Sequence, residues 1–234
     1  MPQLLRQIRN LRELYISATD RGVLVGTTGC GKSTAAKFLL APYQNVAVFD
    51  PKGLIRWRGY KRFTEIEDLV ANAHKYSKFI YAPNHFELQD DGVSFDRFFQ
   101  YVYTIRNTFC YVDEVYACCQ RQEIPHYLHA LITRGRERGS GVLCATQRPM
   151  SIPQVILSES ESWFIFSLAM PGDRKKIEET VGVSSDEIAK LRKRQFIFVS
   201  LQNDYRTKPL TLRLPSPTID LTVKETRQST EERN

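Results

Sequence analysis

At 234 residues the chain is long enough for one α/β domain with a full core and short extensions, and two domains would crowd it. Its 42% hydrophobic and 25% charged residues exclude a fibre or a wholly disordered chain, and no run of about 18 apolar residues exists to span a membrane. The net charge of +7, from 33 Lys and Arg against 26 Asp and Glu, favours polyanionic partners without naming one.

Residues 1–12 are amphipathic and basic with no cleavable apolar core, so residues 1–20 are expected to form a basic helix and strand extension rather than a secretory signal. Val23-Leu24-Val25 is an apolar strand that runs into Gly26-Thr27-Thr28-Gly29-Cys30-Gly31-Lys32-Ser33-Thr34, with helix-forming residues over 32–40. The order is strand, phosphate loop, helix. A loop that wraps phosphate turns its N–H groups inward, and its glycines permit the close approach that a Cβ would block. The helix points its positive end at the same anion. Lys32 is expected to reach the β and γ phosphates of ATP, and the Ser33 hydroxyl to complete a Mg²⁺ shell.

Pro42 stops that helix, and residues 45–49 form an apolar strand ending in Asp50-Pro51-Lys52-Gly53. Arg56, Arg58, Lys61 and Arg62 follow as a basic cluster. A helix over 64–74 and a strand over 78–82 come next, then a helix over 94–106 whose Phe95, Phe98, Phe99 and Val102 recur at helical spacing. Such a stripe reads as core. The buried strand 108–112 ends in Asp113-Glu114, a helix over 125–136 closes in Gly135-Arg136-Glu137-Arg138-Gly139, and the strand 142–145 ends in Thr146-Gln147-Arg148-Pro149. A strand over 163–168, helices over 173–180 and 185–193, and strands over 196–201 and 209–214 complete a domain spanning 21–214. Residues 215–234 are polar, lack periodicity and are expected to be a mobile tail. The five cysteines (Cys30, Cys110, Cys118, Cys119, Cys144) are odd in number without CxxC spacing, and read as reduced thiols rather than a metal site.

Strands alternating with helices predict a mostly parallel sheet covered on both faces. Ligands of such sheets sit beyond the carboxyl ends of the strands, which gathers the phosphate loop, Asp50, Asp113, Glu114 and Gln147 on one edge. Asp113 is the candidate Mg²⁺ carboxylate beside Ser33. Glu114 can orient and deprotonate an attacking water, a need that separates hydrolases from phosphate-loop kinases. Gln147 can bond both the water and the γ-phosphate and so sense it. A cation from a neighbouring subunit commonly completes such sites, and Arg134, Arg136 and Arg138 are all candidates.

Four stretches, Gly26 to Ser33, Asp50 to Gly53, Val112-Asp113-Glu114, and Gly135 to Gly139 leading to Ala145-Thr146-Gln147-Arg148-Pro149, resemble the FtsK/HerA superfamily of ring-forming ATPases that move DNA. The resemblance implies a RecA-like additional-strand P-loop NTPase fold, with the Gln147 strand between the phosphate-loop and Asp113 strands. It also implies that Gln147 is the sensor and Arg136 the trans finger. A bare motor of this size resembles the genome-packaging ATPases of membrane-containing icosahedral DNA viruses. Expected partners are then double-stranded DNA, a homo-oligomeric ring with a hexamer as the leading count, and capsid or vertex proteins, with the chain in the virion or host cytoplasm. Charge alone nominates Arg56, Arg58, Lys61 and Arg62, with Lys190, Arg192, Lys193 and Arg194, as phosphate contacts to DNA. The competing readings are a phage assembly or secretion ATPase, a small-molecule kinase and a non-hydrolysing scaffold.

Overall fold

The computed structural model describes Leu14 and residues 16–90, 92–119 and 123–212. The expected amino-terminal helix and the tail from residue 215 lie outside the described residues. Ile16 and Ser17 are in no strand; Ile16 is instead buried in the core.

The strands are β1 (Arg21–Val25), β2 (Val46–Phe49), β3 (Lys61–Phe63), β4 (Lys78–Tyr81), β5 (Phe109–Val112), β6 (Val142–Thr146), β7 (Ser162–Phe166), β8 (Gln195–Ser200), β9 (Tyr205–Arg206) and β10 (Leu210–Thr211). Among the described residues they form one sheet in the order β10-β8-β7-β1-β6-β5-β2-β4-β3, with β9 on β8. From β7 to β3 every pairing is parallel. β8 reverses, pairing antiparallel so that Phe166 faces Phe196 and Ser162 faces Ser200. The mostly parallel sheet is therefore as expected, and the reversal has one consequence for the site: the start of β8 lies at the carboxyl edge of β7, beside the phosphate loop.

The helices are α1 (Lys32–Leu40), α2 (Ile66–Asn72), α3 (Val93–Ile105), α4 (His126–Arg134), α5 (Gln154–Ser158), α6 (Pro171–Val181) and α7 (Ser185–Lys190). They divide unequally. One face of the sheet packs on α2 through α7, where Leu69, Phe95, Phe98, Phe99, Val102, Leu128, Leu131, Ile177 and Ile188 join Val23, Val25 and Phe49 in one core. Phe49 meets the rings of Phe95, Phe98 and Phe99 at 5.1, 5.6 and 5.4 Å, so the phenylalanine stripe is core as its spacing predicts. Each such burial contributes about 1.5–3 kcal/mol. The other face has α1 alone among these helices, with Leu14, Ile16, Ile55, Trp57 and Leu212 covering what α1 leaves.

Differences from the sequence reading sit at short elements. β3 takes Lys61 and Arg62 out of the basic loop into an edge strand, where only Phe63 is buried and charge protects the free edge. α5 has five residues after Pro153, too few for a periodic signal. α7 begins in a capping box of Ser184 and Glu187 but ends at Lys190, because Leu191 is already extended. α4 ends at Arg134, and Gly135–Arg138 tightens into a 3₁₀ turn closed by Gly139 at φ 69°.

Candidate active site

Strand order builds the site. With β6 between β1 and β5, the phosphate loop, Gln147 and the Asp113-Glu114 pair leave neighbouring strands at one edge. The loop is held tightly from behind: a Cβ on Gly26 would lie 2.6 Å from Phe166 Cβ and 2.8 Å from Cys30 Sγ. Gly31, at φ 117°, caps α1 with no side-chain partner, which leaves the first N–H groups of the helix pointed at the loop. Lys32 is buried and folds onto its own loop, donating from Nζ to the carbonyls of Gly26 at 2.7 Å and Thr27 at 3.0 Å. Burial pushes the ammonium pKa down, opposed by Cys30, Glu114 and Asp113. Phosphate oxygens are the stronger acceptors for this cation.

Across the loop, Asp113 Oδ1 accepts from Ser33 Oγ at 2.9 Å and from Tyr111 Oη at 2.6 Å. A hydroxyl and a carboxylate in contact are hard oxygen donors that fit Mg²⁺, a cation that takes the rest of its shell from phosphates and water. The Tyr111 phenol is pushed well up by burial, with the Asp113 charge adding to it, so it stays a donor. Trp57 stacks on that same ring, with centroids 5.7 Å apart.

Glu114 sits in the left-handed region at φ 64°, ψ 69°, although it carries a side chain. That conformation costs about 1–2 kcal/mol and persists because the surroundings hold it. They do so through four contacts. Gln147 Nε2 donates to Glu114 Oε2 at 2.5 Å, Lys52 Nζ pairs with the same oxygen at 3.3 Å, and Gln147 N at 3.3 Å and Thr146 Oγ1 at 3.4 Å meet Oε1. Gln147 Oε1 accepts in turn from Thr28 Oγ1 at 2.5 Å. Thr28, Gln147, Glu114 and Lys52 thus form one polar chain from the phosphate loop to the loop after β2. It borders a cleft of ≈ 750 Å³, whose lining also includes Lys32, Ser33 and Asp113.

Lys52, Tyr111 and Trp57 were missed as site residues. Lys52 stands in a motif that carries the resemblance without a role of its own, Tyr111 lies inside the buried strand 108–112, and Trp57 has no sequence signal beyond its place among basic residues. Asp50 closes β2 fully buried; its Oδ2 accepts from Ile55 N at 2.7 Å and its Oδ1 has no hydrogen-bond partner among the described residues. Burial raises its pKa, against the pull of the backbone N–H groups of Ile55 and Leu54.

The arginines lie elsewhere. Arg136 sits at the amino-terminal edge of the sheet, where its Nη2 donates to both oxygens of Glu161 at 2.7 and 2.9 Å while Arg21 holds Oε1 at 2.9 Å. Arg138 lies over the Tyr103 ring at 4.5 Å, and Arg134 is exposed. All three stand at the far end of the strands from this chain's own phosphate loop. The basic clusters are at the near end except for Lys61, which opens β3 at the amino-terminal end of that strand, its Nζ 5.7 Å from the rings of Phe63 and Tyr76. Arg56, Arg58 and Lys61 are exposed, Arg62 is half-buried 3.9 Å from Asp50 Oδ2, and Arg56 borders the cleft. Lys190, Arg192, Lys193 and Arg194 are exposed, and the Arg194 Cγ would lie 4.0 Å from a Cβ on Gly31, beside the loop itself.

No family model matches the chain. It is similar to the DNA packaging ATPase P9 of Enterobacteria phage PRD1, at 26% identity over 217 residues that cover 86% of this chain and 89% of that one. Its fold is similar to the genome packaging NTPase B204 of Sulfolobus turreted icosahedral virus 2 in complex with AMPPCP, at a TM-score of 0.69 and 17% identity, covering 85% of this chain and 100% of B204. VirB4 of Thermoanaerobacter pseudethanolicus is a further structural match, with a TM-score of 0.61, 12% identity, and 84% and 90% coverage. The resemblance to packaging ATPases, read from the four motifs together with the size of the chain, is borne out, and the fold is that of P-loop NTPases.

Proposed function

We propose that this chain is an ATPase that drives double-stranded DNA into a viral capsid, as one subunit of a homo-oligomeric ring, a hexamer in the simplest case. The observation that carries the reading is the Gln147–Glu114 hydrogen bond beside the phosphate loop, a base and a sensor in contact where a third phosphate would end. The 26% likeness to a DNA packaging ATPase supports DNA as the substrate class.

In this reading Lys32 exchanges the carbonyls of Gly26 and Thr27 for β and γ phosphate oxygens, and the loop N–H groups from Thr27 to Thr34 cradle the rest. Ser33 and Asp113 would hold Mg²⁺, which when bound neutralises charge on the phosphates. Glu114 takes the proton of the attacking water, while Gln147, already bonded to Glu114 and Thr28, reports whether the γ-phosphate is there. Arg136 reaches the nucleotide of the next subunit in the ring after leaving Glu161, and a cation in that role is worth roughly 10³–10⁵ in rate. The basic clusters at the phosphate-loop edge take backbone phosphates of the duplex. Such contacts would link the nucleotide's state to grip on DNA. A kinase needs neither the base nor the sensor. Among the described residues no helix is long and apolar enough to cross a membrane.

The test is ATP turnover with and without duplex DNA, together with particle size in the presence of ATP. Stimulated turnover by a ring is the expected result. A monomer under all conditions that hydrolyses ATP at full speed, indifferent to DNA, overturns it; phosphate appearing on a small acceptor would mark a kinase.

A further inference from the structure

Asn45, Ser77 and Thr108 each stand one residue before a strand, β2, β4 and β5, and so mark the amino-terminal edge of the sheet, away from the phosphate loop. A cavity of ≈ 350 Å³ opens there between the end of α3 and the turn that leads into β4. Its floor is apolar: Ala73 and Phe79 are buried, and the Tyr101 ring meets Phe79 with centroids 6.0 Å apart. The rim is cationic. His74, Lys75 and Arg106 line it and are exposed, and no Asp or Glu lines it. Among the described residues none of the three is in an ion pair. Lys75 Nζ donates instead to the neutral Asn72 Oδ1 at 2.6 Å. Lys61 adds a further charge at this edge, with its Nζ 5.7 Å from the ring of Tyr76, which also lines the cavity.

Two features narrow the ligand. A rim of cations without a carboxylate selects an anion. The floor selects an apolar group, and since a cavity of about 150 Å³ accepts benzene, this one has room for an aromatic or branched side chain. A free phosphate would satisfy the rim and leave the floor uncovered. A duplex carries its phosphates on a convex surface with no apolar group to insert. An unstacked base would fill the floor but bring polar ring edges against Ala73 and Phe79, which offer them no partner. A peptide with an apolar anchor between acidic residues meets both demands. Its backbone also supplies an acceptor for Tyr101 Oη, which is closed to solvent and has no hydrogen-bond partner among the described residues. Residues 1–13 of the chain itself carry Arg6, Arg9 and Arg12 against Glu13 alone, the wrong charge for this rim.

We propose that the cavity at the amino ends of β2, β4 and β5 is a docking site for a partner protein, taking a short extended segment with one aromatic or branched anchor flanked by Asp or Glu. The anchor packs on Ala73 and Phe79, the flanking carboxylates pair with Lys75 and Arg106, and a backbone carbonyl accepts from Tyr101. The site lies at the opposite edge of the sheet from the nucleotide cleft, so a partner held here leaves that cleft open. It goes beyond the ATPase reading and holds whether or not DNA is the substrate.

The test is fluorescence anisotropy of the full chain with fluorescein-labelled Asp-Glu-Phe-Asp-Glu as the probe. Unlabelled Asp-Glu-Gly-Asp-Glu should compete about tenfold less well than the unlabelled probe sequence, the scale of burying one phenylalanine side chain, and Lys-Lys-Phe-Lys-Lys should not compete. Reversing the rim with Lys75→Glu and Arg106→Glu together should weaken binding about tenfold, with ATP retention equal to wild type verifying the fold. Tyr101→Phe should bind the probe about fivefold more weakly, yet raise the thermal midpoint of the free chain by about 2–4 °C, because no buried hydroxyl is left unpaired. The absence of saturable binding overturns the proposal. So does a glycine peptide that competes as well as the phenylalanine one, or a doubly reversed rim that binds as wild type, since either reduces the contact to diffuse charge. Displacement of the probe by oligothymidylate or inorganic phosphate at lower concentration than by the unlabelled peptide would make the site one for nucleic acid or phosphate. Displacement by a synthetic peptide of residues 1–13 at lower concentration would give the cavity to the chain's own amino-terminal segment.

Discussion

Replacing Glu114 by Gln keeps the shape of the side chain and removes its basicity. The carboxylate is 7% exposed and accepts at 2.5 Å from Gln147 Nε2, so the perturbation is confined to that contact, the Lys52 pair and the proton acceptor. Loss of a positioned general base costs roughly 10²–10⁴ in rate, or about 2.7–5.4 kcal/mol on the barrier. Stability should hardly change, since the charge removed is the buried one, the Lys52 ammonium left behind is part-exposed and open to water, and the left-handed backbone at φ 64° is no worse for Gln. Nucleotide binding should persist, because Lys32, Ser33 and the loop N–H groups are untouched. The assay is a single-turnover measurement of phosphate release alongside ATP retained on the protein after filtration. Unhydrolysed ATP held by a folded variant is the expected result. A fall in turnover of less than about tenfold would assign the proton to another group and remove the central step of the chemistry.

On the proposed ring, Arg136→Ala should bind ATP normally and lose turnover; turnover equal to wild type would move the proposed finger to Arg134 or Arg138. Gly139→Ala should be destabilised by about 2 kcal/mol, because the residue sits at φ 69° and its Cβ would meet Asn107 Oδ1 at 2.1 Å. For a chain of this size the thermal midpoint should then drop by about 4–8 °C in a calorimetric scan. Asp50→Asn should raise stability more at pH 8 than at pH 4. Burial raises the Asp50 pKa in the fold, so the wild-type contribution is present below the unfolded value and lost as pH rises through the folded one. The amide removes that dependence while still accepting from Ile55 N, and a pH series of denaturant midpoints reads the sign.

The sequence by itself determined the phosphate loop, the Asp113-Glu114 pair and Gln147, together with the alternation of strand and helix and the phenylalanine core of α3. Each rests on a local requirement: glycines where a Cβ would collide, a carboxylate where an apolar strand meets solvent, apolar residues at the helical period. Such requirements leave their mark within a few neighbouring residues. Tertiary structure alone decided what those groups do to one another. The reversal of β8 brings Arg194 beside Gly31, and the pairing of Arg136 with Glu161 ties a candidate finger to its own subunit. Lys52 meets Glu114 across 62 residues because β2 and β5 are adjacent and parallel, so their carboxyl ends open onto the same cleft. Contacts of that kind depend on strand order and on the rotamers of long charged side chains, and neither has a signature in the run of residues along the chain.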